Sequence, residues 1–221
     1  MIKKLEESEK EELFENLIKT VEEGFTDEDR VEKLVRFYTD RKESIINAPA
    51  SPKVNFHNAY SGGYLEHVLH VVKLARMLSV FYRKMGGMID FTDEELLFVA
   101  LNHDIGKIGT VNEPYYIEQD SDWHRMNRLE VFKINDDRQY MNVEDLGFFL
   151  LQEAGIMMTQ NEYLGIKLSH GGYSDEARKY FNAFNAGHFP MRTNIMHIIH
   201  WADHMACCIE KDSVRRSITN E

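Results

Sequence analysis

The sequence predicts an all-α fold, a compact helical bundle with one small irregular or β-hairpin excursion around residues 108–141. Three observations lead to this prediction. Apolar residues recur at helical spacing along most of the 221 residues. Capping residues and glycines divide that pattern into segments of ordinary helix length. Residues that favour strands cluster in one stretch, LEVFKIN at 129–135.

Helical periodicity is clearest in the first half of the chain. Two helices are predicted over 3–21 and 27–46, because apolar residues share one face and acidic residues the other, and Gly24 separates them. The stretch APASPKV then breaks the pattern and leads into the loop NFHNAYSGG. An apolar helix over 64–85 follows, and two consecutive glycines end it.

Capping patterns start most of the later helices. Thr92 and Glu95 form a capping-box pattern before a helix that ends with His103-Asp104, and a glycine two residues further on stops it. Proline, aromatic residues and the β-leaning stretch make 108–141 the least helical segment. Further helices are predicted over residues 142–153, 159–169, 174–184 and 194–211.

Composition and charge limit the possible domain organisation and the possible binding partners. Residues 1–45 are predicted to form N-terminal helices packed on a main domain at 46–211, with a polar, frayed tail at 212–221. The net charge of −11 repels phosphate polymers, which favours a small substrate over a long nucleic acid. No apolar run reaches the roughly 18 residues of a membrane span, so we expect a cytoplasmic protein without membrane contact. The adjacent Cys207 and Cys208 fit a reducing compartment and are expected to be small buried hydrophobes.

The residues with the most informative chemistry are His103 and Asp104, with His67 before them and Asp203 after them. Each lies among apolar residues of its predicted helix, so each is expected to point inward, where a charge needs a partner. Imidazole and carboxylate together can hold a divalent ion (Mn, Fe, Co, Ni, Zn or Mg) and leave positions open for water. The alternatives are a capped helix end, a surface pair or a pair of buried salt bridges.

The order of these four residues resembles that of the HD-domain metal-dependent phosphohydrolases. The strings FHNAYSGGYLEHVLHVV, ALNHDIGK, LSHGGYS and HIIHWADHMA look like the corresponding segments of that superfamily, especially the HD domain of bacterial 3′ to 5′ exoribonucleases. The resemblance covers roughly residues 45–210 and implies an HD-domain fold for the main domain. It also implies that His67, His103, Asp104 and Asp203 ligate one metal ion, with Asp104 able to bridge to a second.

The same resemblance implies roles for residues around the ion. Asp104 would orient or deprotonate the attacking water. Lys107 would hold a phosphate oxygen, unless it is a helix-end lysine favoured by the helix dipole. His170 stands where the family places a second-metal ligand or a phosphate-binding imidazole, and it would stabilise the transition state or protonate the leaving oxygen. A further histidine of the family is missing where this chain has Asn142, so we expect one ion per chain.

Other residues are weaker candidates for substrate contact or metal binding. Candidates for substrate contacts are Tyr116, Trp123 and Arg125, together with Tyr115, Arg128 and His57. Aromatic rings in this segment could stack a nucleobase or anchor the segment to the core. His124 is an alternative to the missing histidine. His197, His200 and His204 share one helical face and form a rival metal site, or they orient the ligands.

The sequence therefore predicts a hydrolase acting on ester bonds. It would cleave a phosphoester of a nucleotide or related small phosphorylated substrate with a metal-activated water. The alternatives are a 3′ to 5′ nuclease on short single strands and a non-catalytic HD module that binds a nucleotide. A homo-oligomer is compatible with the sequence.

Overall fold

The fold is known from a computed structural model, which describes residues 4–185 and 193–219. Its helices are α1 (Glu7–Gly24), α2 (Glu28–Asp40), α3 (Lys42–Asn47), α4 (Gly63–Lys84), α5 (Asp93–Asn102), α6 (Asp122–Arg128), α7 (Val143–Glu153), α8 (Gln160–Lys167), α9 (Asp175–Asn185) and α10 (Ile195–Thr219). Two 3₁₀ turns lie at Ile105–Ile108 and Gly171–Tyr173. Strands β1 (Tyr116–Glu118) and β2 (Phe132–Ile134) pair antiparallel, with Ile117 opposite Lys133. The predicted all-α fold with one small hairpin is confirmed.

Side-chain caps fix where several helices begin. Thr92 and Thr159 each accept a hydrogen bond from a backbone N–H three residues on, at 3.1 and 3.2 Å, and Glu95 and Glu162 complete the two capping boxes. Asn142 caps α7 in a similar way, by accepting a backbone hydrogen bond at 2.7 Å. The side chain of Asn142, where the resemblance led us to expect a further histidine, therefore caps the start of a helix.

Three boundaries differ from the predicted ones. The helix predicted over 27–46 is broken at Arg41, where φ is −113° and ψ is 15°, so the segment forms α2 and α3. Helix α6 lies inside the hairpin excursion and was not predicted; the Ser121 side chain caps its first turn. Helix α10 continues to Thr219, so the predicted frayed tail is helical as far as that residue.

The core is formed around α4, α5 and α10. Buried apolar side chains of these helices, such as Val71, Leu101 and Ile199, belong to the same cluster as Phe14 and Leu34 of the N-terminal helices. The predicted domain limits between these parts stay predictions. No helix in the described ranges has the length and apolar character needed to cross a membrane.

A close backbone contact positions the turn that follows α5. A Cβ atom on Gly106 would lie 2.0 Å from the carbonyl oxygen of Val143, a separation that no side chain tolerates. Because glycine has no Cβ, the 3₁₀ turn packs directly against the start of α7. This contact brings Asp104 and Lys107 close to the first turn of α7, which carries Glu144.

Candidate metal centre

Four polar side chains from three helices meet in the core. His67 lies in the second turn of α4, His103 and Asp104 follow α5, and Asp203 lies on α10. His67 Nε2 is 3.2 Å from an oxygen of Asp203, and His103 Nε2 is 3.5 Å from an oxygen of Asp104. At least 98% of the surface of His67, His103 and Asp104 is buried. The four residues predicted as ligands are therefore neighbours in the structure.

The spacing of these atoms suits a divalent ion. One ligand atom from each of His67, His103 and Asp203 lies within 4.8 Å of the other two. Asp104 Oδ2 lies 3.5 and 3.8 Å from the two imidazole nitrogens. Nitrogen and oxygen ligands about 2.1 Å from an ion are separated from each other by about 3.0 to 3.4 Å, so small side-chain movements would complete a coordination shell.

Three atoms of this cluster are buried without a hydrogen-bond partner among the described residues. They are His67 Nε2, His103 Nε2 and Asp104 Oδ1. Native proteins rarely leave buried polar atoms unpaired, because each one costs about 1 to 3 kcal/mol. A cation bonded to both imidazole nitrogens and to Asp203 would satisfy the two nitrogens, so the residues present fit a metal ion.

Glu210 holds the ring of His67 in place. Its carboxylate accepts hydrogen bonds from His67 Nδ1 at 3.0 Å and from His70 Nδ1 at 2.9 Å. With the proton on Nδ1, the lone pair of His67 Nε2 faces the cluster. Burial by itself lowers the pKa of His67, but the adjacent carboxylates of Asp203 and Glu210 outweigh burial and raise the pKa to about 9. A proton therefore competes with a metal ion for this nitrogen at neutral pH.

His103 has a different environment. Its Nδ1 donates to the backbone carbonyl of Ala100 at 2.9 Å, which directs Nε2 towards Asp104 and Asp203. Burial lowers the pKa of His103 more than the two carboxylates raise it. The ring is therefore a neutral imidazole with its lone pair turned into the cluster, which is the form that binds metals.

Lys107 forms a tight ion pair inside the cluster. Its ammonium lies 2.6 Å from Asp104 Oδ2, and only 11% of its side chain is exposed. Burial alone would raise the pKa of Asp104, but the charges of Lys107 and the neighbouring imidazoles outweigh it and hold the pKa below its usual range. Lys107 also lines a cleft of about 310 Å³ with Tyr115 and Tyr116. The lysine thus borders both the cluster and a space outside it, and its role in binding phosphate stays a prediction.

His170 approaches the cluster from the turn after α8. Its Nδ1 donates to Glu144 at 2.6 Å, and its Nε2 lies 3.8 Å from Asp104 Oδ1. Burial by itself lowers the pKa of His170, but the hydrogen bond to Glu144 and the charge of Asp104 outweigh burial and raise the pKa. An imidazolium with one N–H directed at the cluster can give a proton to a bound group.

Cys207 and His57 lie beside Asp203 and His67 of the cluster. Cys207 Sγ lies 3.5 Å from Asp203 Oδ1 and 3.6 Å from His57 Nε2, and the ring centroids of His57 and His67 are 4.6 Å apart. Burial is the largest cause that lowers the pKa of His57, to about 2, so the ring is neutral. The expectation that both cysteines are buried hydrophobes is wrong, because α10 turns Cys207 towards polar groups and Cys208 towards solvent.

The residues predicted to bind substrate separate into two groups. Tyr116 is mostly buried, lines the same cleft as Lys107, and is close enough for that charge to affect its pKa. Trp123 is 56% exposed on α6. Neither Trp123 nor Arg125 contacts the cluster among the described residues, and their substrate roles stay predictions. His124 Nδ1 lies 2.8 Å from the hydroxyl of Ser121, which caps the same short helix, and His124 belongs to none of the candidate ligand groups of the described residues.

The rival histidines on α10 do not converge. His197 stacks on Trp201, with ring centroids 5.9 Å apart. His200 Nδ1 donates to the carbonyl of Ser169 at 3.0 Å, and its ring stacks on that of His204 at 6.2 Å. Within the described ranges, the groups of three or more side chains that could hold an ion include none of these imidazoles. Packing and hydrogen bonding account for them.

Two carboxylates of the site were missed from the sequence. Glu210 follows Asp203 by seven residues, which is two helical turns, so the periodicity of α10 was a signal that could have found it. Glu144 lies in the first turn of α7, where an acidic residue is ordinary. Only the packing of α7 against the turn after α5 reveals its bond to His170.

Comparison with known proteins gives one partial similarity. The chain is 31% identical over 103 residues to a dihydroneopterin 2′,3′-cyclic phosphate phosphodiesterase of Methanocaldococcus jannaschii. The aligned segment is 42% of this chain and spans only 40% of the length of that relative. No family model matches the chain, and no solved structure matches it significantly. The similarity to the exoribonuclease branch finds no support in these comparisons and stays a prediction.

Proposed function

We propose that this chain is a metal-dependent phosphohydrolase of the HD type that cleaves a phosphoester bond in a small phosphorylated substrate. The observation that carries the proposal is the set of buried ligand atoms without partners on His67, His103 and Asp104, next to the cations Lys107 and His170. The partial similarity to a phosphodiesterase supports the class of reaction. The net charge of −11 favours a small substrate over a long nucleic acid.

Each group of the cluster would have a distinct role in the reaction. A divalent ion held by His67, His103, Asp104 and Asp203 would supply Lewis acidity and a water of lowered pKa. Asp104 Oδ2 is held by Lys107, which leaves the buried Oδ1 to orient the attacking water or accept its proton. Lys107 brings a positive charge to the oxygens of a bound phosphate.

His170 is suited to the second half of the reaction. Glu144 fixes the ring through Nδ1, so the N–H at Nε2 points towards Asp104 Oδ1. Because the raised pKa of His170 favours the protonated ring, this N–H can protonate the oxygen that leaves the phosphorus atom. The pairing with Glu144 stabilises the imidazolium before the transfer.

The cleft beside Lys107 indicates which class of substrate would fit. It measures about 310 Å³, and its walls include the rings of Tyr115, Tyr116 and Phe132. Aromatic walls next to a cation suit a flat heterocycle that carries a phosphate, as in a nucleotide. We propose a nucleotide or a related heterocyclic phosphate as the substrate class.

A substrate panel tests the function. The chain is stripped of metal with a chelator, Mn²⁺, Mg²⁺, Fe²⁺ or Co²⁺ is restored, and hydrolysis is measured with nucleoside monophosphates, 2′,3′-cyclic nucleotides, bis-p-nitrophenyl phosphate and labelled short oligonucleotides. We expect metal-dependent hydrolysis of at least one small substrate. Stepwise shortening of the oligonucleotides from the 3′ end, without turnover of the small esters, would establish the nuclease instead.

Matched variants tie activity to the cluster. Asp104→Asn keeps the shape of the side chain but removes its charge, and we expect metal-dependent turnover to be lost. Asp40→Asn changes an exposed carboxylate on α2 in the same way and serves as the control. Full activity of Asp104→Asn would contradict the proposal. Bound nucleotide without any hydrolysis under all four metals would favour the binding module.

A further inference from the structure

A second group of potential ligands adjoins the proposed hydrolytic centre. Within the described chain, one ligand atom from each of His57, His67 and Cys207 lies within 4.8 Å of the other two. Cys207 Sγ also lies 3.5 Å from Asp203 Oδ1. His67 Nε2, which is fully buried and has no hydrogen-bond partner, is 3.2 Å from the same oxygen. The group therefore adds a thiol and an imidazole to a set of carboxylate and imidazole ligands.

The two distances from the Cys207 sulfur match those of a tetrahedral site. Zinc binds sulfur at about 2.3 Å and nitrogen at about 2.0 to 2.1 Å, and a tetrahedral angle then separates the two ligands by about 3.5 Å. The distance from Cys207 Sγ to His57 Nε2 is 3.6 Å, and the distance from Sγ to Asp203 Oδ1 is 3.5 Å. One thiol proton cannot serve both acceptors. A metal ion bonded to the thiolate would contact both at once, with the thiol proton released to solvent.

We propose that His57, His67, Asp203 and Cys207 form a site for a thiophilic ion such as Zn²⁺ or Cd²⁺, overlapping the position that His67, His103 and Asp203 provide. A thiolate prefers softer ions than a carboxylate does, so the two positions differ in the metals they select. The side of the cluster that carries Cys207 thus favours soft ions.

The two positions cannot be filled together. His67 Nδ1 is engaged by Glu210, so this ring has one nitrogen to offer. An ion bonded to Cys207 therefore takes His67 Nε2 away from the position next to His103. Inhibition of hydrolysis by a thiophilic ion, and its displacement of an ion beside His103, rest on the proposed function and its metal centre. The thiophilic site itself does not.

Cadmium absorption tests the site without any enzyme assay. Cd²⁺ is titrated into the metal-free full chain, and the ultraviolet charge-transfer band of a cadmium–thiolate bond is recorded. We expect the band in the unchanged chain and in Cys208→Ser, which alters the exposed neighbouring cysteine. We expect Cys207→Ser to lack it. Absence of the band from the unchanged chain, or its persistence in Cys207→Ser, would overturn the proposal.

Displacement of manganese tests the overlap. Mn²⁺ bound to the chain is followed by electron paramagnetic resonance while Cd²⁺ is added. We expect one Cd²⁺ to release one Mn²⁺ from the unchanged chain. Cys207→Ser should require at least about tenfold more Cd²⁺ for the same release, because loss of an outer-shell partner alone weakens metal binding by about 10- to 100-fold. A ternary complex that holds both ions would refute the overlap. Circular dichroism melting of Cys207→Ser shows that the variant is folded.

The outcomes separate this inference from the proposed function. If the chain hydrolyses none of the panel but shows the band that depends on Cys207, the thiophilic site stands and the proposed function fails. If hydrolysis is found and the band is absent, the reverse holds.

Alkylation mapped by mass spectrometry tests the site in the unchanged chain, without any variant. Cd²⁺ should protect Cys207 from iodoacetamide and leave Cys208 reactive.

Discussion

Replacing Glu210 with glutamine tests whether Glu210 orients the imidazole of His67 for metal binding. In the structure the Glu210 carboxylate accepts hydrogen bonds from both His67 and His70, and it is 7% exposed. Glutamine has nearly the same shape, but it has no charge and a single acceptor oxygen. Loss of such a partner behind a metal-binding histidine weakens metal binding by about 10- to 100-fold. That range corresponds to about 1.4 to 2.7 kcal/mol.

A second effect acts in the opposite direction. Glu210 is one cause of the raised pKa of His67, about 9, so at pH 7 a proton reduces the affinity of this ring for metal by about 100-fold. Glu210→Gln removes part of that competition. The sign follows from the raised pKa, because the proton is bound below pH 9 and lost above it. The weakening should therefore be largest near pH 9 and smaller at pH 7.

Competition with a chelating dye measures both effects. The dissociation constant for Co²⁺ is determined at pH 7 and pH 9 for the unchanged chain, for Glu210→Gln and for Glu12→Gln, which alters an exposed carboxylate of α1. The affinity of the unchanged chain should rise more steeply with pH than that of Glu210→Gln. Equal affinities of all three proteins at pH 9 would refute the orienting role of Glu210.

Three further predictions concern other charged groups. Arg30→Met should lower the free energy of unfolding by about 3 to 5 kcal/mol in urea titrations, because it leaves the carboxylate of Glu162, whose side chain is 0% exposed, without its partner at 2.7 Å. Glu144→Gln should reduce kcat and move the basic limb of the pH–rate profile to lower pH, since Glu144 helps to raise the pKa of His170; an unchanged profile would argue against the pair. Glu95→Gln should lower the free energy of unfolding more at pH 7 than at pH 4. Hydrogen bonds from Thr92, Thr159 and Asn161 outweigh burial and lower the pKa of Glu95, so protonation at low pH removes their stabilising contribution. An equal loss of stability at both pH values would disprove this prediction.

Local patterns were sufficient to predict most helices. The capping boxes at Thr92 and Thr159 and the periodicity of α4 depend on neighbours in sequence, and the structure confirms them. The break at Arg41 was missed because the apolar pattern continues across it while the backbone does not. Helix α6 was missed because seven residues carry too little periodicity to identify a helix.

The candidate site was predictable only in part. The spacing of His67, His103 and Asp203 along the chain gave no distances, and their proximity depends on the packing of α4, α5 and α10. The same packing turns Cys207 into the cluster and Cys208 away from it, a difference of one residue that composition cannot reveal.

Anomalous diffraction from a crystal of the full chain grown with Mn²⁺ would test the central claim most directly. We predict one strong peak bonded to His67 Nε2, His103 Nε2 and an oxygen of Asp203, with Asp104 in or next to its coordination shell. A peak only on the α10 face that carries His197 and His204, or no peak at saturating Mn²⁺, would contradict the proposed metal centre.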